Sequence, residues 1–417
     1  MTQLQLIQLI YAGLSVFAVV CTTVTNTQVW EVIPAVILLW VCYGFFSVGY
    51  GRKKQRLSDK SPVEEVAICG RKGMLDIFLR HRFLVLVICA VCSIMIAYYY
   101  TGHTPVSLMS ALSSGEGMYQ AYQQYSKDNQ TAVMSVAKIP FILMNAGLNF
   151  LFVASIISCF LKEKMRLKDI GYIVTLILIF WYFGLARGTN FELFEVMCVL
   201  IYCVYLRWSR ARRKKISPKM KLLIAAAAVF ALLMFSFFLE ARGFAGTYVT
   251  DEIGYDPTKF LPTILPGIAI LLTKMTGYFG FGFFYTTALF TRLFPAQPQL
   301  VGASMIPFGF QLFGVEINTE LARYISTGTN WRPDIVTIIG TVGFVGLFAL
   351  MYLMGKLYKK TQTDKERGLI CHMLGYYVFL QMLSLPIANF ILVSSANKIC
   401  VAICIFLFLL RRKIRWK

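Results

Sequence analysis

Residues 183 to 196, FGLARGTNFELFEV, set one arginine and two glutamates close together between two strongly apolar runs. The run before them covers roughly 170 to 186, and the chain resumes after them as VMCVLIYCVYL at 196 to 206. Apolar residues on every side of a helix, rather than along one stripe, suit lipid or packed protein and do not suit water. The polar interruption therefore reads as the turn of a helical hairpin at a membrane surface. Which surface it lies on is decided by the charges elsewhere in the chain.

A hydrophobic fraction of 58% against 15% charged residues, over 417 residues, extends this reading to the whole sequence. A bilayer core of about 30 Å takes about 20 apolar residues per helix. Runs near that length occur at approximately 4 to 21, 29 to 48, 83 to 100, 138 to 161, 170 to 186, 191 to 206, 220 to 239, 335 to 355, 369 to 392 and 397 to 410. The first has neither a basic leader nor a small-residue cleavage site, and it reads as an uncleaved span. The expected fold is an all-α polytopic membrane protein of about 10 to 12 transmembrane helices, a single integral membrane domain over residues 1–417.

Lys and Arg outnumber Asp and Glu by 41 to 20, and their placement says why. Thirty-one of the basic residues fall at 52–82, 162–168, 207–221, 356–367 and 411–417, in every second connection. That alternation is the mark of cytoplasmic segments and puts both termini inside. The excess is thus an orientation signal with attraction to anionic membrane lipid, and it calls for no nucleic acid. Arg187 falls on the opposite, outer face.

The eleven cysteines lie within or beside spans or, as Cys69, on the cytoplasmic side, so none is expected to staple an outer loop. His81, His103 and His372 fall in different compartments, and the chain has no His-x-x-x-His, no Asp-x-Asp and no Walker loop. A metal centre and a nucleotide-using enzyme are both disfavoured, and no cofactor is expected.

Two outer segments are long. Residues 101 to 137 include MYQAYQQY, whose Tyr119, Tyr122 and Tyr125 recur at helical spacing. That is the geometry of an interfacial aromatic belt, with stacking on sugar faces as the alternative. Residues 240–333 form the larger outer loop, whose apolar middle is broken by Pro262, Pro266, Lys274, Gly277, Gly280 and Gly282. Segment 263–290 is expected to dip into the membrane as a re-entrant hairpin or to lie along its surface, because irregular backbone at membrane depth must be covered by protein or line a cavity.

Arg187, Arg242 and Arg332 lie on this outer face beside glycine, acidic or polar residues, with Arg323 as a fourth candidate. Local pairing is one reading: Arg187 with Glu192 or Glu195, Arg242 with Glu240, Arg332 with Asp334. The other is functional. A guanidinium grips phosphate oxygens with two parallel hydrogen bonds, so several converging from separate loops would suit a diphosphate headgroup. Candidate proton-transfer groups are His103, Glu192, Glu195, Glu240, Asp251, Glu252, Asp256, Glu316, Glu320 and Asp334. Glu240, Asp251 and Glu252 flank Arg242 and come first as catalytic bases. Tyr248, Tyr278 and Trp331 are the aromatic candidates for sugar contact. Gly340, Gly343 and Gly346 mark a close helix contact.

The arrangement resembles the O-antigen polymerase family. The likeness is carried by the RG turn at Arg187 and Gly188, the long loop opening with a second RG at 242 and containing GYFGFGFFYTTALF, and GTNWRPDIVTIIGTVGFVG leading into the next span. Arg332 and Gly343 also fit an arginine-to-glycine spacing described for some members, whereas Arg242 meets Gly254 one residue late and Arg187 meets Cys198. The resemblance implies a glycosyltransferase of the bacterial inner membrane that polymerises oligosaccharide repeat units carried on undecaprenyl diphosphate, without metal or nucleotide. It also implies a chain-length regulator protein as a candidate partner. O-antigen ligases share the arginine-rich outer loop, and a flippase of the same pathway is the alternative from another class.

Overall fold

A computed structural model describes residues 3–51, 78–113, 117–131, 133, 135–162, 165–210, 253–316, 333–363, 368–388, 390–391 and 394–414. The regular elements among them are helices, joined by one isolated antiparallel bridge between Thr25 and Tyr255. In chain order the longer ones are α1 (Gln3–Cys21), α2 (Ile33–Tyr50), α3 (Arg82–Thr101), α4 (Pro105–Ser113), α5 (Met118–Asp128), α6 (Ile139–Leu161), α7 (Leu167–Arg187) and α8 (Phe191–Arg210). There follow α9 (Pro266–Ala296), α10 (Asp334–Thr363), α11 (Leu369–Ser384) and α12 (Ser395–Ile414).

Among the described residues, seven helices are long and apolar enough to cross a membrane: α1, α2, α3, α6, α7, α9 and α10, with α2, α6 and α10 each counted by slightly different bounds. Helices α11 and α12 contain shorter apolar stretches, and α8 carries Glu192, Glu195, Arg207 and Arg210. The run expected at 220–239 lies outside the described residues. All ten described cysteines are free.

The chain forms two compact units. The first comprises residues 1–59, 244–360 and 381–393. Here α2 and α10 cross closely, because Gly49 lies against the Tyr352 carbonyl and Gly355 against the Phe46 carbonyl. Removing the side chain at a crossing lets two backbones approach and gains dispersion contact, which counts most where lipid offers no hydrophobic driving force. Tyr11 of α1 donates to the Met382 carbonyl at 2.6 Å.

Segment 263–290 is helical and falls mostly within α9, a run of 31 residues containing two π-helical stretches, Thr276–Gly280 and Leu289–Leu293. It passes the end of α1, with Gly280 against Cys21, and then the start of α2, where Ala35 donates its N–H to Thr287 Oγ1 at 3.3 Å. Phe290 and Phe294 then reach Phe344 of α10, at ring distances of 6.0 and 6.4 Å.

Helix α10 is interrupted at Gly343, whose φ of 68° and ψ of 178° are not helical. The freed backbone groups are met by the segment after α9. Phe344 N–H donates to Ser304 O at 2.8 Å, Val345 N–H to Met305 O at 3.1 Å, and Phe308 N–H to Thr341 O at 3.1 Å. Interrupted helices survive at membrane depth only when protein satisfies them in this way. The Gly340–Gly346 pattern thus includes a helix break docked on a loop, with Gly343 facing the Ser304 and Ile306 carbonyls.

The second unit comprises residues 60–243, 361–380 and 394–417. Its α3, α6, α7, α8 and α12 pack side by side. Phe152 of α6 stacks on Phe180 of α7 at 4.2 Å, and Ser93 of α3 donates to the Ile179 carbonyl at 2.7 Å. Asp169 in the first turn of α7 accepts from Arg82 at 2.6 Å, from Lys162 at 2.7 Å and from the Arg166 N–H at 2.8 Å. The last of these caps the helix, and the carboxylate also suits the positive end of its dipole.

Candidate functional site

The α7–α8 turn holds the described arginine of the expected site. Helix α7 ends because Gly188 takes the left-handed conformation, φ 62° and ψ 31°, returning its N–H to the Leu185 carbonyl. Glycine adopts this region without strain. It is also needed for space: a Cβ there would stand 2.6 Å from the Tyr119 backbone nitrogen. The backbone that closely approaches this glycine is therefore that of α5.

Arg187, in the last turn of α7, pairs through Nη2 with Glu192 in the first turn of α8. Thr189 Oγ1 donates to the other oxygen of Glu192 at 3.1 Å. The guanidinium carbon lies 4.1 Å from the centre of the Phe183 ring and 6.0 Å from that of Tyr122. The Arg187 side chain keeps 19% of its surface exposed and that of Glu192 5%. Two donors here are buried and find no acceptor among the described residues, Arg187 Nε and Asn190 Nδ2. Buried N–H groups are ordinarily paired, by protein, water or ligand, and the Tyr122 side chain also hydrogen-bonds to the Arg187 guanidinium.

The tyrosine row of α5 lies beside this turn. Tyr119 is exposed, whereas Tyr122 and Tyr125 are half-buried, the latter against Gly102.

One turn further along α8, Glu195 is buried at 3% exposure and is not bound to Arg187. It accepts from Asn149 Nδ2 of α6 at 3.3 Å and from Asn397 Nδ2 of α12. The Asn149 amide also donates to Asn397 Oδ1 at 2.6 Å and accepts from the Tyr377 hydroxyl at 3.4 Å. Sequence reasoning missed Asn149, Asn397 and Tyr377. The available signal was an amide inside each of two apolar runs, at 138–161 and 397–410, since such groups in a span seek polar partners on neighbouring helices.

In the first unit, Asp334 is fully buried at the start of α10 and accepts from Gln381 at 2.7 Å and Ser384 at 3.4 Å. Asp256 accepts from the Thr258 hydroxyl at 2.6 Å and the Thr258 N–H at 2.9 Å, which hold its carboxyl below the usual range and make it a weaker base. Tyr278 is half-buried in the first π-helical stretch of α9. His103 is half-buried after α3, and Glu316 is exposed.

Of the four arginines expected to converge, Arg187 alone lies among the described residues; Arg242, Arg323 and Arg332 lie outside them, as do Glu240, Tyr248, Asp251, Glu252, Glu320 and Trp331. Among the described residues no group of three or more His, Cys, Asp or Glu side chains could hold a metal ion. No protein-family model matches the chain, and no curated protein or solved structure matches it.

Proposed function

We propose that this chain is a membrane-embedded glycosyltransferase of the O-antigen polymerase type, working at the outer face of a bacterial inner membrane. Its donor is a growing glycan on undecaprenyl diphosphate, and its acceptor is the terminal sugar hydroxyl of a new lipid-linked unit. The observation that supports this reading best is the α7–α8 turn. A permanently charged guanidinium sits there whose buried Nε, like Asn190 Nδ2 nearby, finds no acceptor among the described residues, and the basic clusters elsewhere lead us to expect this turn on the outer side. Phosphate oxygens arriving from the lipid would meet a fixed cation in a poorly hydrated place, where charge stabilisation of a leaving diphosphate is strongest.

Glu192 already neutralises Arg187, so an arriving anion has to compete with it. Competition of this kind makes binding weaker and release easier, which suits a carrier lipid that must depart after each transfer.

A transporter of lipid-linked glycan is the second reading, favoured by the break in α10 at Gly343 and by the interior carboxylate Glu195. Discontinuous helices and charges within the bundle are common in transporters.

The glycan ladder of cells separates the readings. Deletion that removes long chains but keeps single-unit glycan supports a polymerase, whereas loss of all glycan on lipid A core indicates a ligase or a flippase. Arg187→Ala should shorten the ladder while the protein still reaches the membrane. Chains of normal length in that variant would remove Arg187 from the proposal.

A further inference from the structure

Three span ends meet at one carboxylate in the second unit. Arg82 opens α3, Lys162 follows the last residue of α6, and Asp169 stands in the first turn of α7. Arg82 Nη2 at 2.6 Å and Lys162 Nζ at 2.7 Å reach the same oxygen, Asp169 Oδ1, and the Arg166 N–H donates to the other. Two cations on one carboxylate leave a positive charge over. Arg80, Arg166 and Lys168, close by along the chain, are exposed. Over 80–82 and 162–169 the sequence sets six basic residues, at 80, 82, 162, 164, 166 and 168, against Glu163 and Asp169 alone.

We propose that the Arg82–Lys162–Asp169 knot, with the exposed Arg166 and Lys168, is a binding site for the phosphate of an anionic phospholipid headgroup.

The donors for it are present. Arg82 uses Nε on the Leu79 carbonyl at 3.1 Å and Nη2 on Asp169, while its Nη1 makes no hydrogen bond among the described residues. Lys162 gives Asp169 one of the three N–H groups of an ammonium. The two side chains keep 18% and 24% of their surface exposed, so the remaining donors can reach phosphate oxygens.

The level of the knot selects a lipid. Helices α3, α6 and α7 are each long and apolar enough to cross a membrane, and Asp169 ties one end of each together. The charges therefore lie where apolar span gives way to headgroups. Apolar surface runs on from them: Leu84 and Ile88 of α3, and Leu167, Ile170 and Val174 of α7, are exposed and spaced to lie along one side of each helix. A phospholipid presents charge and then acyl chain in that order, whereas a free phosphate would use the charge alone. Every basic cluster is drawn diffusely to an anionic leaflet, but a site at these residues is specific and saturable. It does not depend on which reaction the chain performs.

Thermal unfolding of the purified full chain in a nonionic detergent tests this, at fixed pH and ionic strength, with phosphatidylglycerol or phosphatidylcholine of the same acyl chains added. The midpoint should rise by several degrees with phosphatidylglycerol, saturating as for any ligand that binds only the folded state, and much less with phosphatidylcholine. Arg166→Gln with Lys168→Gln should lose most of that rise; both side chains are exposed and neither pairs with Asp169, so the fold does not rest on them. Lys356→Gln with Lys360→Gln, which neutralises two exposed cations near the end of α10, should keep it. Equal rises with the two lipids would overturn the proposal by leaving only the acyl chains at work. So would a rise that survives Arg166→Gln with Lys168→Gln, or one lost equally in the α10 variant, which would mean diffuse attraction. An equal rise with inorganic phosphate would overturn it too, by assigning the knot to a free anion.

Discussion

The Tyr352 carbonyl of α10 lies so close to Gly49 of α2 that a Cβ there would stand 2.0 Å from its oxygen. Gly355 repeats the contact against the Phe46 carbonyl, where the distance would be 2.1 Å. Neither obstacle is a flexible side chain that could swing aside. Gly49→Leu should therefore separate the helices and cost about 3 kcal/mol or more, at the upper end of overpacking effects. Midpoints of thermal or denaturant unfolding in detergent report it, and a variant as stable as the wild type would show that α2 and α10 do not cross there.

The Arg187–Glu192 pair makes a second prediction. Glu192→Gln leaves a largely buried guanidinium without its counter-charge, while Arg187→Met with Glu192→Gln removes both charges. The single variant should cost about 2 kcal/mol, and a double-mutant cycle should give a coupling of about 1 to 3 kcal/mol, as for neighbours in one network. Additive losses would mean that the two side chains do not meet.

How far the sequence could be read follows from what each element rests on. Hydropathy located the runs at 83 to 100, 138 to 161 and 170 to 186, which appear as Arg82–Thr101, Ile139–Leu161 and Leu167–Arg187. They were legible because the length of an apolar run is a property of consecutive residues. Arg187 had two glutamates on one face of the next helix, and spacing could not choose between them. The choice fell to Glu192 because Gly184, with no Cβ, leaves room for its carboxylate: a Cβ there would stand 2.7 Å from Oε2. The Asn149–Glu195–Asn397 cluster joins residues up to 248 positions apart, a closeness that no local pattern encodes. The glycine spacing at 340 to 346 looked like packing, while the positive φ of Gly343 is a backbone angle with no signature in spacing.

That angle leads to a third prediction. At φ 68° and ψ 178° an L side chain is strained, and a Cβ would stand 2.6 Å from the Ile306 carbonyl oxygen and 2.8 Å from that of Ser304. Gly343→Ala should cost about 2 to 4 kcal/mol by combining backbone strain with overpacking. Proteolysis of the segment after α9 should accelerate with it, since the hydrogen bonds at 304–308 are what hold it to α10. Unchanged stability together with unchanged cleavage would mean that α10 runs through this position as ordinary helix.

Asp169 supports the last prediction. Its carboxylate is fully buried and ties Arg82 of α3, Lys162 after α6 and the first turn of α7 into one knot. Asp169→Asn keeps the shape and removes the charge, leaving two cations to repel one another. Arg82 and Lys162 keep 18% and 24% of their side-chain surface exposed, so both can turn partly toward water or headgroups. The cost should accordingly fall below that of a wholly buried broken pair, at about 1 to 3 kcal/mol. Adding Lys162→Gln to Asp169→Asn should recover part of the loss, because it removes one of the two repelling charges. Unfolding midpoints of the wild type, both single variants and the double variant decide it: a double variant weaker than Asp169→Asn by the full cost of Lys162→Gln alone would show that the two cations do not share this carboxylate.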